Sequence, residues 1–393
     1  TGVQTCALPI WCSRGRGLCM KVGIITFQRA DNYGSLLQCY ALYKSVESFG
    51  VDVEVVDYRN PYIERAYVGL PNFRKNFIVW GKQAYTRFSN YSNVLKKHAA
   101  FEKLIGSMHF SEGLKKKDIL HNGLDYDLIF TGSDQIWNPV MTNGFDDVYY
   151  LNFPGNFFRC SYAASLGNSK SKKLDPQKLK TRIDRMDRIS VREQSACETI
   201  YALTGKNAQV CVDPTLLLSR TEWEALCEKA DIDTEERYIL LYYLDDNKDL
   251  VKIAQSLAKK HSAKIICCNK NPVSGENIQW IGDLGPVDFV KLVKDAAAVV
   301  ASSFHAAVFS VIFGKALYAI PHPETGERVK TLAALCGFSD GFYKSFEDFE
   351  SRNGASLPVS YDYTNLQKAV AESKDFINNA VETAKRRNQV PER

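Results

Sequence analysis

The stretch from Ala298 to Ile320, AVVASSFHAAVFSVIFGKALYAI, sets two adjacent hydroxyls and one imidazole inside an otherwise apolar run. Histidine exchanges protons near neutral pH, and the N–H groups at the head of a helix favour anions. Ser303 and His305 are therefore candidates for anion binding and proton transfer. The competing reading is a buried, neutral histidine bonded to a backbone carbonyl. The surrounding punctuation reads strand, turn, helix, strand. Ala297 to Ala301 is short and apolar, Ser302 and Ser303 are N-cap types, Gly314 suits a helix terminus, and Pro321 stops ALYAI. His305 then falls in the first turn of a buried helix, just past the carboxyl end of a parallel strand. Ligands bind at that edge in open α/β sheets.

Three other strand ends run into polar, turn-forming residues. GIITF leads to Gln28 through Gly34, followed by Leu36, Leu37 and Gln38 in a first helical turn. DLIF leads to TGSDQIWNP, in which Gly132 permits close backbone approach and Ser133, Asp134 and Gln135 cluster polar groups. ISV leads to Arg192, ahead of a helix expected over Gln194 to Thr204. Asn32 and Asp134 also have a plain capping role open to them, and Arg192 a surface pairing with Glu193 or Asp187. If both sheets aim their carboxyl edges at one cleft, the four loops converge there as a guanidinium fork, a proton-transfer group and a polar cradle. The chain carries no P-loop, GxGxxG, HExxH or GxSxG signature.

Two β-α-β openings must position these groups. KVGIITF, the helix ending at Gly50 and VDVEVVDY form one, with VDVEVVDY alternating apolar and polar residues. YILLYYL, a helix over Lys248 to His261 and AKIICC form the other. The expected fold class is thus α/β, with two Rossmann-like domains facing a cleft. Residues 20–205 form the first domain, with a basic, aromatic, helical insertion over about 61–120. Residues 206–345 form the second, and residues 346–393 a tail whose amphipathic helix over Asn365 to Asn388 packs back. Residues 1–19 read as a non-native leader, because TGVQTCALPI is what a common sequencing adapter gives on translation, and Met20 is the expected start.

A chain of 393 residues has length for two cores, and a net charge of +5 does not by itself argue for nucleic acid. Basic residues gather in Arg74 to Lys117 and Lys170 to Arg188, with Phe73, Phe77 and Trp80 interleaved in the first. These are solvated helix faces or, alternatively, a surface for an anionic acceptor or peripheral membrane contact. The 11 cysteines form no CxxC pair, so a metal site or disulfide framework is not expected and a reducing cytoplasm fits. Cys267 and Cys268 are adjacent in an expected strand and should face opposite sides.

The ordered set TFQRADNYGSLLQCYAL, DYRN, YDLIFTGSDQIWNP, SYAASLG, ISVREQSA, VDPTLLL and SSFHAAVFSVIFGKAL resembles the bacterial polysaccharide pyruvyl transferase family, from about Lys21 to about Phe338. The resemblance implies a GT-B-like pair of domains with the site between them. It implies transfer of a pyruvyl group from phosphoenolpyruvate to a sugar of a cell-surface polysaccharide or its lipid-linked precursor, leaving a pyruvate ketal. No cofactor is expected beyond that donor substrate. His305 takes the family's histidine position and Arg192 its arginine in SVRE. By the same resemblance His305 is the general acid/base, with Asp134 orienting or deprotonating an acceptor hydroxyl. Arg192, Ser303 and Arg328 hold the donor; Asn32, Tyr33, Gly34, Gln38, Gly132, Ser133 and Gln135 face the acceptor. One position departs from the pattern: members often carry arginine two residues before the histidine, where this chain has Ser303. Two alternatives remain open, a GT-B-type glycosyltransferase using a nucleotide-sugar donor and a non-catalytic glycan-binding relative.

Overall fold

The computed structural model describes residues 20–68, 91–167, 171, 173–269, 271–321, 327–338, 340–352 and 360–389. The leader over 1–19 and the aromatic stretch from Phe73 to Phe88 lie outside the described residues.

Six parallel strands build the first sheet: β1 (Lys21–Ile25), β2 (Asp52–Val55), β5 (Leu128–Thr131), β6 (Phe158–Ala164), β7 (Arg188–Val191) and β8 (Gln209–Val210), in the order β2-β1-β5-β6-β7-β8. A small parallel pair, β3 (Tyr58–Arg59) with β4 (Leu114–Lys115), lies beside it. The second sheet holds β9 (Tyr238–Tyr242), β10 (Lys264–Cys267), β11 (Ile278–Trp280), β12 (Ala298–Ala301) and β13 (Ala316–Ala319), also parallel, in the order β11-β10-β9-β12-β13. β1 and β9 each open a sheet and then find neighbours on both sides. The strand order therefore reverses beside each of them, and a crevice opens at the carboxyl ends.

The strands read as continuous apolar runs because helices cover both faces. β2 illustrates this: VDVEVVDY alternates on paper, yet Val53, Glu54 and Val55 are all buried, and Glu54 accepts a hydrogen bond from Tyr126 at 2.6 Å and pairs with Lys21 at 3.0 Å. Cys267 and Cys268 do face opposite sides, each joining a different apolar cluster. All eight described cysteines are free thiols. Among the described residues no His, Cys, Asp and Glu side chains gather as a metal site, and no helix is long and apolar enough to cross a membrane.

The helix Tyr33–Glu47 begins where Asn32 Oδ1 accepts from Ser35 N at 3.2 Å. The helix Phe304–Phe313 runs from Ser303 to Gly314, which takes the left-handed conformation at φ 64°. The helices Lys248–His261 and Gln194–Thr204 fall where the apolar spacing places them. The insertion contains the helices Pro61–Val68 and Tyr91–Ile105, together with β4, which the apolar pattern does not announce.

One feature moves an expected boundary. β8 lies beyond residue 205 but completes the first sheet by pairing with β7, so the first domain extends past that point. The tail helix spans Thr364–Gln389 and bridges both domains. At its start the Tyr363 hydroxyl donates to Val311 O at 2.8 Å in the second domain. Further along, Ser373 Oγ accepts from Val212 N at 3.0 Å, and Arg387 reaches Asp187 of the first domain at 3.8 Å.

The domains meet through a shared apolar cluster. Tyr33 is its hinge pin: its ring stacks on Phe289 of the second domain at 4.7 Å between centroids, and its hydroxyl donates to Leu284 O at 3.3 Å. Lys103 on the helix Tyr91–Ile105 pairs with Asp231 at 2.8 Å across the same seam.

Candidate active site

Four carboxyl-end loops meet at the cleft. His305, in the first turn after β12, lies against Gly34, in the first turn after β1. A Cβ placed on Gly34 would sit 2.0 Å from His305 Nδ1 and 2.4 Å from its Cε1. No other residue lets the imidazole lie there.

The other ring nitrogen, Nε2, stands 3.6 Å from Asp213 Oδ2. Asp213 follows β8, and its side chain is fully buried. The same Oδ2 pairs with Arg192 Nη2 at 2.8 Å, and Oδ1 accepts from Thr215 N at 3.0 Å and from its hydroxyl at 2.5 Å. Burial alone would raise the Asp213 pKa. The charge of Arg192, then the field and hydrogen bond of His305, outweigh that and hold the carboxyl well below the usual aspartate range. Asp213 is thus an anion that ties the guanidinium to the imidazole.

Arg192 follows β7 and is itself buried, with 3% of its side chain exposed. Nη2 also donates to Ser133 Oγ at 2.8 Å. Nε and Nη1 have no protein acceptor although both are buried. Buried donors are almost always satisfied, so a guanidinium with two nitrogens left over is built for an acceptor that the chain does not supply. The alternative of a surface pairing with Glu193 or Asp187 gives way to the buried pairing with Asp213.

A second guanidinium stands nearby. Arg328 Cζ lies 5.3 Å from the Phe304 ring centroid and Arg192 Cζ 5.6 Å from the same centroid, within cation–π range. Arg328 keeps partial exposure, but its depth between the domains lowers its pKa first by desolvation and then by the charge of Arg192; Glu193, Asp134 and Asp213 act in the opposite sense. Ser303, buried at the head of the helix, makes no side-chain capping bond. The arrangement can therefore hold a small anion between Arg192, Arg328 and a helix N-terminus, with an imidazole alongside.

The first-domain residues divide into two groups. Gly34, Gly132, Ser133 and Gln38 shape the cradle. Gln38 is buried, donates to Thr26 Oγ1 and Ser35 O at 2.8 Å each, and accepts from Ser133 N at 3.3 Å, so it fixes the Ser133 loop. Gly132 has φ 137°, and a Cβ there would meet Tyr162 O at 2.1 Å. Gln135 Oε1 accepts from Asn138 Nδ2 at 2.8 Å, and Asn32 serves as a cap. Asp134 has both oxygens engaged, by Ser35 Oγ at 2.5 Å and by Gln135 N at 2.7 Å, which favours an orienting role. Tyr33 is a correction: expected to face the acceptor, it is 2% exposed and spends its ring and hydroxyl on the domain seam.

Asp213 and Phe304 are the site residues that the residue-type argument left unassigned. Asp213 obeys the rule that found the others, being the first polar residue after an apolar strand, QVCV.

Two parallel, doubly wound sheets with their carboxyl edges on a common cleft define a GT-B-like enzyme fold. In line with this, the chain resembles a UDP-N-acetylglucosamine 2-epimerase from Rickettsia bellii, with a TM-score of 0.53, 12% identity, and coverage of 95% of this chain and 99% of that one. It also resembles the UDP-GlcNAc 2-epimerase of Methanocaldococcus jannaschii in complex with UDP-GlcNAc and UDP, with a TM-score of 0.50, 13% identity, and coverage of 93% and 100%. At these identities the likeness is one of fold. No curated protein matches the chain by sequence. The family is given by a sequence profile: residues 32–323 match polysaccharide pyruvyl transferase, and the chain belongs to that family of transferases.

Proposed function

We propose that the chain transfers a pyruvyl group from phosphoenolpyruvate to a sugar of a cell-surface polysaccharide or its lipid-linked precursor, forming a pyruvate ketal, at the cytoplasmic face of the membrane. The observation that carries this reading is the buried Arg192 with Nε and Nη1 unpartnered, next to His305 and a helix N-terminus. Phosphoenolpyruvate presents a phosphate and a carboxylate on a three-carbon frame, and two guanidiniums with a helix head match two anionic groups. No cofactor enters the scheme.

The chemistry balances with one acid/base group. A proton adds to the methylene carbon, making it a methyl. An acceptor hydroxyl oxygen bonds to the central carbon, a second hydroxyl of the same sugar closes the ketal, and the bond from that carbon to the phosphate oxygen breaks. Of the two hydroxyl protons released, one balances the proton on the methyl and the other leaves with phosphate. His305 is the group assigned to move them, with Asp213 facing Nε2 to stabilise the imidazolium. Arg192, with Arg328 and Ser303, holds the donor. Asn32 and Gln135, both partly exposed, line the wall met by the acceptor; Gly34, Gln38, Gly132 and Ser133 are buried behind it and shape that wall, and Asp134 orients the acceptor hydroxyl.

Incubating the full chain with phosphoenolpyruvate and glycans extracted from the native host should release phosphate and place a methyl-bearing ketal on the sugar, visible by NMR. His305→Ala should lower turnover by about 10²–10⁴-fold, the usual contribution of a positioned acid/base, while leaving the melting temperature nearly unchanged. Equal loss of stability and turnover would make His305 a core residue. Phosphate release that persists in His305→Ala would assign the proton transfer elsewhere.

A further inference from the structure

A second polar cavity, of about 370 Å³, opens on the first domain where β1 and β2 end, roofed by the helix Tyr91–Ile105. Its size lies at the small-molecule end of binding sites, about 300–1,000 Å³. Three carboxylates line it (Asp31, Glu64 and Glu102) with two guanidiniums (Arg29 and Arg59) and the imidazole of His98. Each charge is held in place by a partner. Arg29 makes a two-pronged contact with Asp57 at 2.7 and 2.8 Å and reaches Glu102 at 3.0 Å. Arg59 binds Glu64 at 2.7 Å, and His98 Nδ1 meets Asp31 at 3.2 Å. An independent observation points to a ligand. Gln28, 1% exposed, lines this cavity; its Nε2 donates to Val56 O and Tyr58 O, and its Oε1 is buried with no hydrogen-bond partner.

We propose that this cavity is the subsite for a sugar unit of the acceptor that carries neither carboxylate nor phosphate, an assignment that rests on the pyruvyl-transferase reading above. A lining that mixes fixed acceptors and donors suits hydroxyls, which do both. An anionic unit would meet more carboxylates than guanidiniums. The placement also fits: Asp31 and Gly34 are three residues apart, so their Cα atoms are at most about 11 Å from each other, within the span of a two-sugar segment. A sugar held by the cavity thus leaves its neighbour within reach of His305.

Saturation-transfer NMR on the full chain, without phosphoenolpyruvate, tests this with methyl glucoside, methyl galactoside and glucuronic acid as probes. The neutral glycosides should receive saturation at tens of millimolar, and glucuronic acid should not. Glu102→Gln should weaken the neutral glycosides about tenfold, the effect of losing one charged hydrogen-bond acceptor. His98→Ala, with a side chain 47% exposed and little to disturb on folding, should weaken them too. Glucuronic acid binding as well as the glycosides, unchanged binding in both variants, or no saturation of any probe would overturn the assignment. The donor reading fails separately. Glycosides that bind here to a chain indifferent to phosphoenolpyruvate leave the subsite standing and remove the donor; phosphate release insensitive to both variants does the reverse.

Discussion

Gly34→Ala should lower turnover by about a hundredfold while leaving the fold intact. The new methyl carbon would fall 2.0 Å from His305 Nδ1 and 2.6 Å from Cγ, far inside contact distance. Gly34 lies in the first turn of the helix Tyr33–Glu47 without a positive φ, so alanine costs nothing in backbone strain, and in a helix it is favoured over glycine by about 0.5–1 kcal/mol. The overlap is relieved by swinging the imidazole away from Asp213 or by parting the two loops. Either change moves the acid/base group by an ångström or more, and misplacement on that scale costs about a hundredfold in rate. Phosphate release and thermal melting measured side by side check this. A variant with normal turnover would show that the imidazole is not used where it stands.

Asp213→Asn should damage both stability and catalysis. The carboxylate is the counter-ion of a buried guanidinium, and removing one partner of such a pair costs about 3–5 kcal/mol because the other charge stays buried and uncompensated. The asparagine amide would also direct N–H groups at Arg192 Nη2, which stands 2.8 Å from the present oxygen. pH gives this prediction a signature. The folded-state pKa of Asp213 is depressed, so its contribution is complete above the ordinary value of 3.8 and declines as pH falls below that toward the folded value. The stability gap between wild type and variant should therefore be constant near neutrality and narrow as acid is added below about pH 4. Urea melts at pH 7 and at pH 3 measure the gap. One that does not narrow would separate Asp213 from the ion pair. On turnover, the loss of the group facing His305 Nε2 should cost at least tenfold.

The strand ends, helices and cleft were legible because they depend on local signals. A parallel sheet covered on both faces forces short apolar runs, and the first polar residue after each run is delivered to one edge. That rule places Gly34, Gly132, Ser133, Arg192, Ser303 and His305 together. It could not distinguish a polar group at the edge from one spent on packing. Tyr33 belongs to the loop by sequence and to the domain seam by its stack on Phe289. Asn32 and Asp134 had a capping role open to them in the sequence, and each accepts from a nearby backbone N–H. Asp213 escaped assignment because its meaning comes from two distant residues, Arg192 and His305, which approach it only after both sheets have formed. QVCV reads as a short strand near the domain boundary, but only its pairing with β7 shows that β8 belongs to the first sheet, which moves the first domain's limit past residue 205.

The central claim is that Arg192 and His305 serve one small dianion. Thermal melting of the full chain with phosphoenolpyruvate, with UDP, and with neither tests it most directly. Phosphoenolpyruvate should raise the melting temperature saturably, by the equivalent of about 2.7 kcal/mol at a hundred times its dissociation constant. Arg192→Lys, which keeps the charge but loses the planar fork, should lose most of that rise. Stabilisation by UDP with none from phosphoenolpyruvate, or a phosphoenolpyruvate effect that survives Arg192→Lys intact, would contradict the account.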